Sequence, residues 1–184
     1  MKALKIISGG QTGVDRAALD VALGHGINCG GWCPTGRLDE FGKIPDYYPI
    51  RELPGGSFTE RTLQNVKDSD GTVVVYCDHL RGGTAQTVYF CLQLKRPHEL
   101  IDASKISAEG AAKLIGDFID KNKINILNVA GPRQSEWPEG YAYASRALSA
   151  FLYNINRTAA LLPDRGARRS TRGSAPRTNR LRRR

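Results

Sequence analysis

The 184-residue chain has one methionine, three histidines, four cysteines and no apolar run of membrane-spanning length, about eighteen residues. Each scarcity removes a class of function. The N-terminus leads straight into a short apolar segment with no long signal-type core, so the expectation is a cytoplasmic protein with no membrane association. His25, His79 and His98 are scattered at no ligand spacing, and no metal site is readable from them. Cys29, Cys33, Cys77 and Cys91 lie in or beside apolar segments, which reads as reduced, buried thiols rather than a disulfide framework. Cys29 and Cys33 come closest to a pair. Their CGGWC spacing lacks a second Cys or His cluster to complete a tetrahedral shell, so inert packing is favoured over structural zinc.

A formal charge of +9 raises a nucleic-acid reading, and its distribution along the chain qualifies that reading. Residues 157–184 hold ten arginines and one acid, Asp164, whereas residues 1–156 hold 17 basic and 17 acidic side chains. The segment from Arg157 is rich in Arg, Ser, Thr, Gly and Pro and nearly empty of apolar residues after Leu162. Such a segment buries too little surface to offset its ordering entropy. The expected organisation is therefore a ligand-binding domain at 1–156 and a disordered arginine-rich tail at 157–184. Any nucleic-acid contact through that tail is expected to be weak, nonspecific and salt-sensitive, because it offers charge without interleaved aromatics.

The body has 40% hydrophobic residues in the chain as a whole to draw on, enough for one core. Residues 3–7 form a short apolar run ending at Ser8-Gly9-Gly10, and an amphipathic stretch from about Val14 to Leu23 follows, which predicts strand, tight loop and helix. A second apolar segment, 27–32, leads into Pro34-Thr35-Gly36-Arg37. A polar stretch to about residue 58 then carries Pro45, Pro49 and Pro54 with little periodicity. Structureless connections of this length in compact domains are usually functional, so this one is expected to form a pocket wall or lid. A short helix is predicted over 59–68. GTVVVYC at 71–77 is the clearest strand, apolar on both faces as in a covered parallel sheet. Arg81-Gly82-Gly83-Thr84 turns into a helix carrying Val88, Tyr89, Phe90, Leu92 and Leu94. A strand near 98–101 follows, then a helix with Ala111, Leu114, Ile115, Phe118 and Ile119 on one stripe, a strand at 124–129 and a last helix over about 139–152. This alternation predicts an α/β fold, a Rossmann-like three-layer sandwich with a mostly parallel central sheet.

In such a fold the loops after the strands gather along one edge, where ligands bind. Three of them carry glycine: Ser8-Gly9-Gly10-Gln11-Thr12-Gly13, Arg81-Gly82-Gly83-Thr84 and Ala130-Gly131-Pro132-Arg133. Glycine lets the backbone approach an anion, and the following helix presents unpaired N–H groups and the positive end of its dipole. SGGQTGVD matches neither the dinucleotide GxGxxG nor the P-loop GxxxxGK[ST], so neither NAD nor ATP hydrolysis follows from it. A single loop of this kind reads equally well as a plain turn; several on one edge favour a site. Arg16, Arg37, Arg61 and Arg133 lie in or beside these loops and supply forks matched to phosphate or carboxylate. Asp15 holds an arginine, orients a ligand hydroxyl or complements the helix dipole, the last being the simplest reading. Asp68 and Asp70 around Ser69 read as a turn before the strand rather than an acid/base pair. Trp32, Tyr47 and Tyr48 offer rings for stacking a planar ligand, although loop packing is the commoner role.

The motifs SGGQTGVDRAALD, GGWCPTGR, RTLQNVKDSDGT, GGTAQT and LNVAGPR, in this order across roughly residues 4–153, resemble the putative molybdenum carrier family, a circularly permuted YpsA-like branch of Rossmann-like proteins related to Lonely-guy and DprA proteins. The resemblance implies a binding or carrier protein for a phosphorylated heterocycle, above all molybdenum cofactor (molybdopterin), assembling as a homo-oligomer, a dimer or tetramer. It carries the ligand contacts onto Ser8, Gly9, Gly10, Gln11, Thr12, Gly13, Asp15 and Arg16, then Gly36 and Arg37, then Arg61, Thr62 and Asn65. Further contacts fall on Gly82, Gly83, Thr84 and Thr87, and on Gly131, Pro132 and Arg133.

Two alternatives stand beside carriage: a sensor of nucleotide derivatives, and a nucleotide-processing hydrolase resembling the Lonely-guy phosphoribohydrolases. Those hydrolases have a glutamate on the helix after the glycine turn. Here that helix reads AQTVYFCLQL, leaving Asp15 as the substitute carboxylate for oxocarbenium stabilisation. The reading favoured is binding without turnover.

Overall fold

A computed structural model of the chain describes residues 4–161. Residues 162–184, most of the 157–184 segment on which the disorder and nucleic-acid expectations rest, lie outside the described residues. The elements are β1 (Lys5–Ile7), α1 (Val14–Gly24), β2 (Asn28–Gly30), β3 (Trp32–Cys33), β4 (Leu38–Asp39), β5 (Gly42–Lys43), β6 (Arg51–Glu52), α2 (Phe58–Asp68), β7 (Gly71–Tyr76), α3 (Gly82–Gln93), β8 (His98–Asp102), α4 (Ala108–Asn122), β9 (Ile126–Ala130) and α5 (Gly140–Leu161). Five strands form the central sheet in the order β2-β1-β9-β7-β8. Every pairing in it is parallel, with Ile6 beside Leu127 and Val73 beside Val129 and Glu99.

Parallel strands need crossovers, and their fixed hand puts helices on both faces. Helices α1, α4 and α5 pack on one face and α2 with α3 on the other, giving the expected three-layer α/β sandwich. β1 and β7 lead in opposite directions across the sheet. Helix α1 consequently lies on one face and α3 on the other, and a crevice opens between their N-termini at the topological switch point. Val73, Val74, Ile101, Leu127 and Val129 are essentially fully buried. Each such side chain contributes about 1.5–3 kcal/mol from its removal from water. The α2/α3 face has a thinner apolar lining, with Val66, Phe90 and Cys91 as its buried cluster. On the outer side of α3, Tyr89 and Leu92 are exposed, and Leu94 is at its end, so of the apolar residues read on this helix only Phe90 is buried.

Three local features go beyond the sequence reading. The apolar segment 27–32 breaks at Gly31, whose φ of 129° bends the chain where a Cβ would strike the Ser8 carbonyl oxygen. Its second part, β3, leaves the central sheet and pairs with β6. Residues 34–58 are also not a structureless lid: β4 and β5 form a hairpin, and Ile44, Tyr48 and Ile50 pack with Leu19 and Cys33 in a second core. The last helix runs to Leu161, beyond the end expected near residue 152. All four cysteines are free; burial pushes the thiols of Cys29, Cys33 and Cys91 up, whereas Cys77 is exposed.

Candidate functional site

The three glycine-bearing connections meet at the C-terminal edge of the sheet, and their glycines do different work. Gly13 has φ +71°, and a Cβ there would lie 2.5 Å from the Pro132 carbonyl oxygen; a Cβ on Gly131 would lie 2.6 Å from that of Val75. These two residues let the turns after β1 and β9 close on each other, a contact marked by Val14 N donating to Pro132 O at 3.3 Å. Gly83 has no atom within 4 Å of its Cβ position and lies open.

Between these turns and α2 lies a cleft of about 200 Å³. Of the residues expected to hold a ligand, it brings together Gly9, Gln11, Asp15, Arg61, Thr62, Asn65, Gly83, Thr84, Thr87, Gly131 and Arg133. Its floor is an ion pair: Arg61 Nη1 donates to Asp15 Oδ2 at 3.0 Å, with side chains 13% and 5% exposed. Burial pushes the Asp15 carboxyl up, while Arg61 and the amides of Gln11 and Gly131 pull it down. Arg61 keeps a buried Nε without a partner. Two other wall residues spend their polar atoms on the protein. Asn65 exchanges two hydrogen bonds with the Trp32 backbone, and the Thr62 hydroxyl donates to Phe58 O.

The helix ends at this edge differ in what they have left to offer. Helix α2 closes with a capping box between Ser57 and Glu60, α4 is capped by Ser107, and α1 carries Asp15 in its first turn. Helix α3 has no side-chain cap and no acid in its first turn. Its amides therefore remain available to an anion, and the helix dipole reinforces them. Thr84, 3% exposed and lining the cleft in that first turn, has a buried hydroxyl with no partner. A buried hydroxyl left unpaired costs roughly 1–3 kcal/mol, which a ligand oxygen would recover.

Other expected ligand residues lie outside this cleft. Arg37, with φ 53°, folds its guanidinium onto the carbonyls of Ile44, Pro45, Tyr48 and Ile50 and serves as the internal strut of the 34–58 segment, with Gly36 beside it. Arg16 pairs with Asp39 at 2.7 Å, donates to Gly10 O and lies over the Tyr48 ring, lining a separate hollow with Thr12 and Gly13. Ser8 is fully buried beneath its loop, Gly10 packs on Ile50, and Thr12, Gly13 and Pro132 serve loop-to-loop contact. Gly82 flanks the cleft without lining it. Trp32 stacks under Arg51 and donates to Asp68, and Tyr47 and Tyr48 lean on each other, so these rings pack loops. Asp70 accepts from the amides of Asn125 and Ile126, as a turn residue does.

The cleft also has residues that sequence reasoning passed over: Phe58, Gln86, Asn128, Ala130 and Glu136. Asn128 is a polar residue inside an apolar strand, and that misfit was its signal; its amide donates to Thr72 Oγ1 at 3.2 Å. Glu40 had no signal. From the β4–β5 hairpin its carboxylate accepts from the hydroxyls of Thr12 and Ser135 and from Ser135 N at 3.2 Å, and its own amide donates to Gln11 at 2.9 Å. It thereby ties the turns after β1 and β9 together. Burial raises this carboxyl, but the Ser135 and Thr12 donors outweigh it and hold it below its ordinary value. Among the described residues, no three His, Cys, Asp or Glu side chains group as a metal site, and no helix is long and apolar enough to cross a membrane.

A parallel sheet with a glycine-walled cleft at its switch point, lined by the uncapped first turn of α3, defines a Rossmann-like α/β domain. Comparison narrows the class. Residues 6–152 match the circularly permutated YpsA SLOG family, and the chain belongs to that family. It is also similar, at 47% identity and TM-score 0.80, to a crystal structure of a putative molybdenum carrier protein from Syntrophus aciditrophicus SB, over 82% of this chain and 96% of that one. No curated protein matches the chain.

Proposed function

We propose that the cleft binds a phosphorylated heterocyclic small molecule and that the protein carries it unchanged, molybdenum cofactor being the first candidate. The observation that carries this reading is the free N-terminus of α3 with the buried, unpartnered Thr84 hydroxyl in the same cleft. Backbone amides of the Gly83 turn and the Thr84 hydroxyl would hold the phosphate. Arg61 and Arg133 supply positive charge, and Phe58 with the edges of α2 and α3 would take the ring. The name of the Syntrophus protein supports molybdenum as cargo. The cofactor is a pyranopterin that carries a phosphate beside its molybdenum dithiolene, and that phosphate would meet the donors of α3.

The test is rapid purification followed by a molybdenum assay, pterin fluorescence and titration with added cofactor. Bound or acquired cofactor in the wild type, held more weakly in Thr84→Val, supports the reading. Absence of metal, pterin and uptake rejects this ligand, and binding of a nucleoside monophosphate in its place would favour a nucleotide sensor. The homo-oligomer expected from the family would bury the exposed Tyr89 and Leu92 on α3, and native mass spectrometry reads subunit count and bound mass together.

Asp15 favours a second reading. It lines the cleft with a carboxyl that burial pushes up, the condition for acid or base work. Release of free base from nucleoside monophosphates, abolished in Asp15→Asn, would make the protein a hydrolase.

A further inference from the structure

Two acids line the cleft among the described residues, Asp15 and Glu136, and they are in different situations. Asp15 is committed to Arg61. Glu136 belongs to the turn after β9, its side chain is 36% exposed, and it reaches over to the other wall: a Cβ on Gly82, the first residue of α3, would lie 3.6 Å from Glu136 Oε1. The same oxygen accepts from Arg133 Nε at 2.9 Å. A carboxylate from another element thus stands where α3 has no cap of its own, and it engages an arginine of the cleft.

We propose that Glu136 is a built-in competitor for the anion. It partly neutralises the positive end of α3 and occupies Arg133, and a ligand phosphate must displace it from both. This rests on the cleft being the ligand site and adds a selectivity to it. Small free anions, with only a helix end and one arginine to gain, are held weakly. A ligand whose phosphate is joined to a ring gains contacts along α2 and α3 that Glu136 does not oppose. The carboxylate is about a third exposed to solvent, so its displacement costs little beyond its own attraction to the helix end and Arg133. Arg133, once released, adds a charge-assisted bond to the incoming oxygen.

The experiment is calorimetric titration of the full chain with inorganic phosphate, for wild type, Glu136→Gln, Thr84→Val and the double variant. Removing one charge at a helix end predicts binding about three- to tenfold tighter in E136Q, with the gain lost in E136Q/T84V. E136A removes the same charge and must give the same sign should Gln disturb folding, which circular dichroism monitors. Phosphate binding that depends on Thr84 but is unchanged or weakened in E136Q and E136A overturns the competitor and leaves the cleft reading intact. Failure of both wild type and E136Q to bind phosphate at millimolar concentration overturns both.

Discussion

Arg61 lies directly across the backbone of Gly9. A Cβ built on Gly9 would fall 1.1 Å from Arg61 Nη1, the nitrogen that donates to Asp15 Oδ2 at 3.0 Å. The glycine in the turn after β1 is needed first for a side chain of the protein itself.

Gly9→Ala should therefore act as a charge mutation. The methyl group expels the guanidinium and leaves the Asp15 carboxylate, 5% exposed, without its partner. Breaking a buried pair on one side costs about 3–5 kcal/mol, more than a methyl group at a turn otherwise would. Urea denaturation should show the drop in midpoint, and a loss below about 1 kcal/mol would mean that Arg61 finds another route to Asp15.

Glu40 gives the cleft an acid limit. Its carboxyl is held below its ordinary value in the folded chain, so its contribution to stability is fully present above about pH 4.5 and disappears as pH falls through the folded value. The turns after β1 and β9 should then separate, and Trp137, in the latter, should report this by fluorescence. Glu40→Gln should lose this acid-sensitive phase and also destabilise the neutral protein by roughly 1.5–3 kcal/mol, as charge-assisted bonds to Thr12 and Ser135 become neutral ones. An identical acid profile in the variant would assign the transition to other groups.

How far the site was legible depended on the kind of interaction. β7 and β9 were readable because β-branched and apolar runs end at glycine turns, and this alone predicted the sheet edge where the cleft lies. The destinations of the arginines were not. Arg16, Arg37, Arg61 and Arg133 look alike in sequence, and only folding shows that Arg37 meets four carbonyls of its own loop while Arg61 and Arg133 face the cleft. Proline and the absence of periodicity suggested a structureless pocket wall or lid at 34–58. That segment instead organises around the Arg37 guanidinium, by side-chain to backbone bonds that leave no periodic trace. Glu40 acts through partners up to 95 positions away in the chain, beyond the reach of any local pattern.

Thr84→Val should separate stability from binding. The hydroxyl it removes is buried and unpaired, so the folded protein without ligand should hold its stability or gain up to about 1 kcal/mol. Affinity for inorganic phosphate should fall about threefold to tenfold, one hydrogen bond's worth. Thermal melts with and without phosphate read both quantities. Equal loss of stability in the two conditions would show that the hydroxyl already has a partner, and that no ligand oxygen is required to satisfy it.

Gly131 and Gly83 allow the sharpest contrast, since both belong to glycine turns of the same edge. A Cβ on Gly131 would press on Val75 O at 2.6 Å and on the Val14 side chain at 2.7 Å. One of these is backbone within the core, so Gly131→Ala should cost about 1–3 kcal/mol or more by overpacking. Gly83 lies in the first turn of α3 with open space around its Cβ position. Gly83→Ala should stabilise the helix by up to about 1 kcal/mol. The added methyl projects from the very turn whose amides are to meet the ligand, so the more stable variant should be the weaker binder. Should Gly83→Ala bind phosphate as well as wild type does, the anion does not approach α3 at this turn, and the phosphate-binding role of the cleft would have to be sought at Arg61 and the turn after β1.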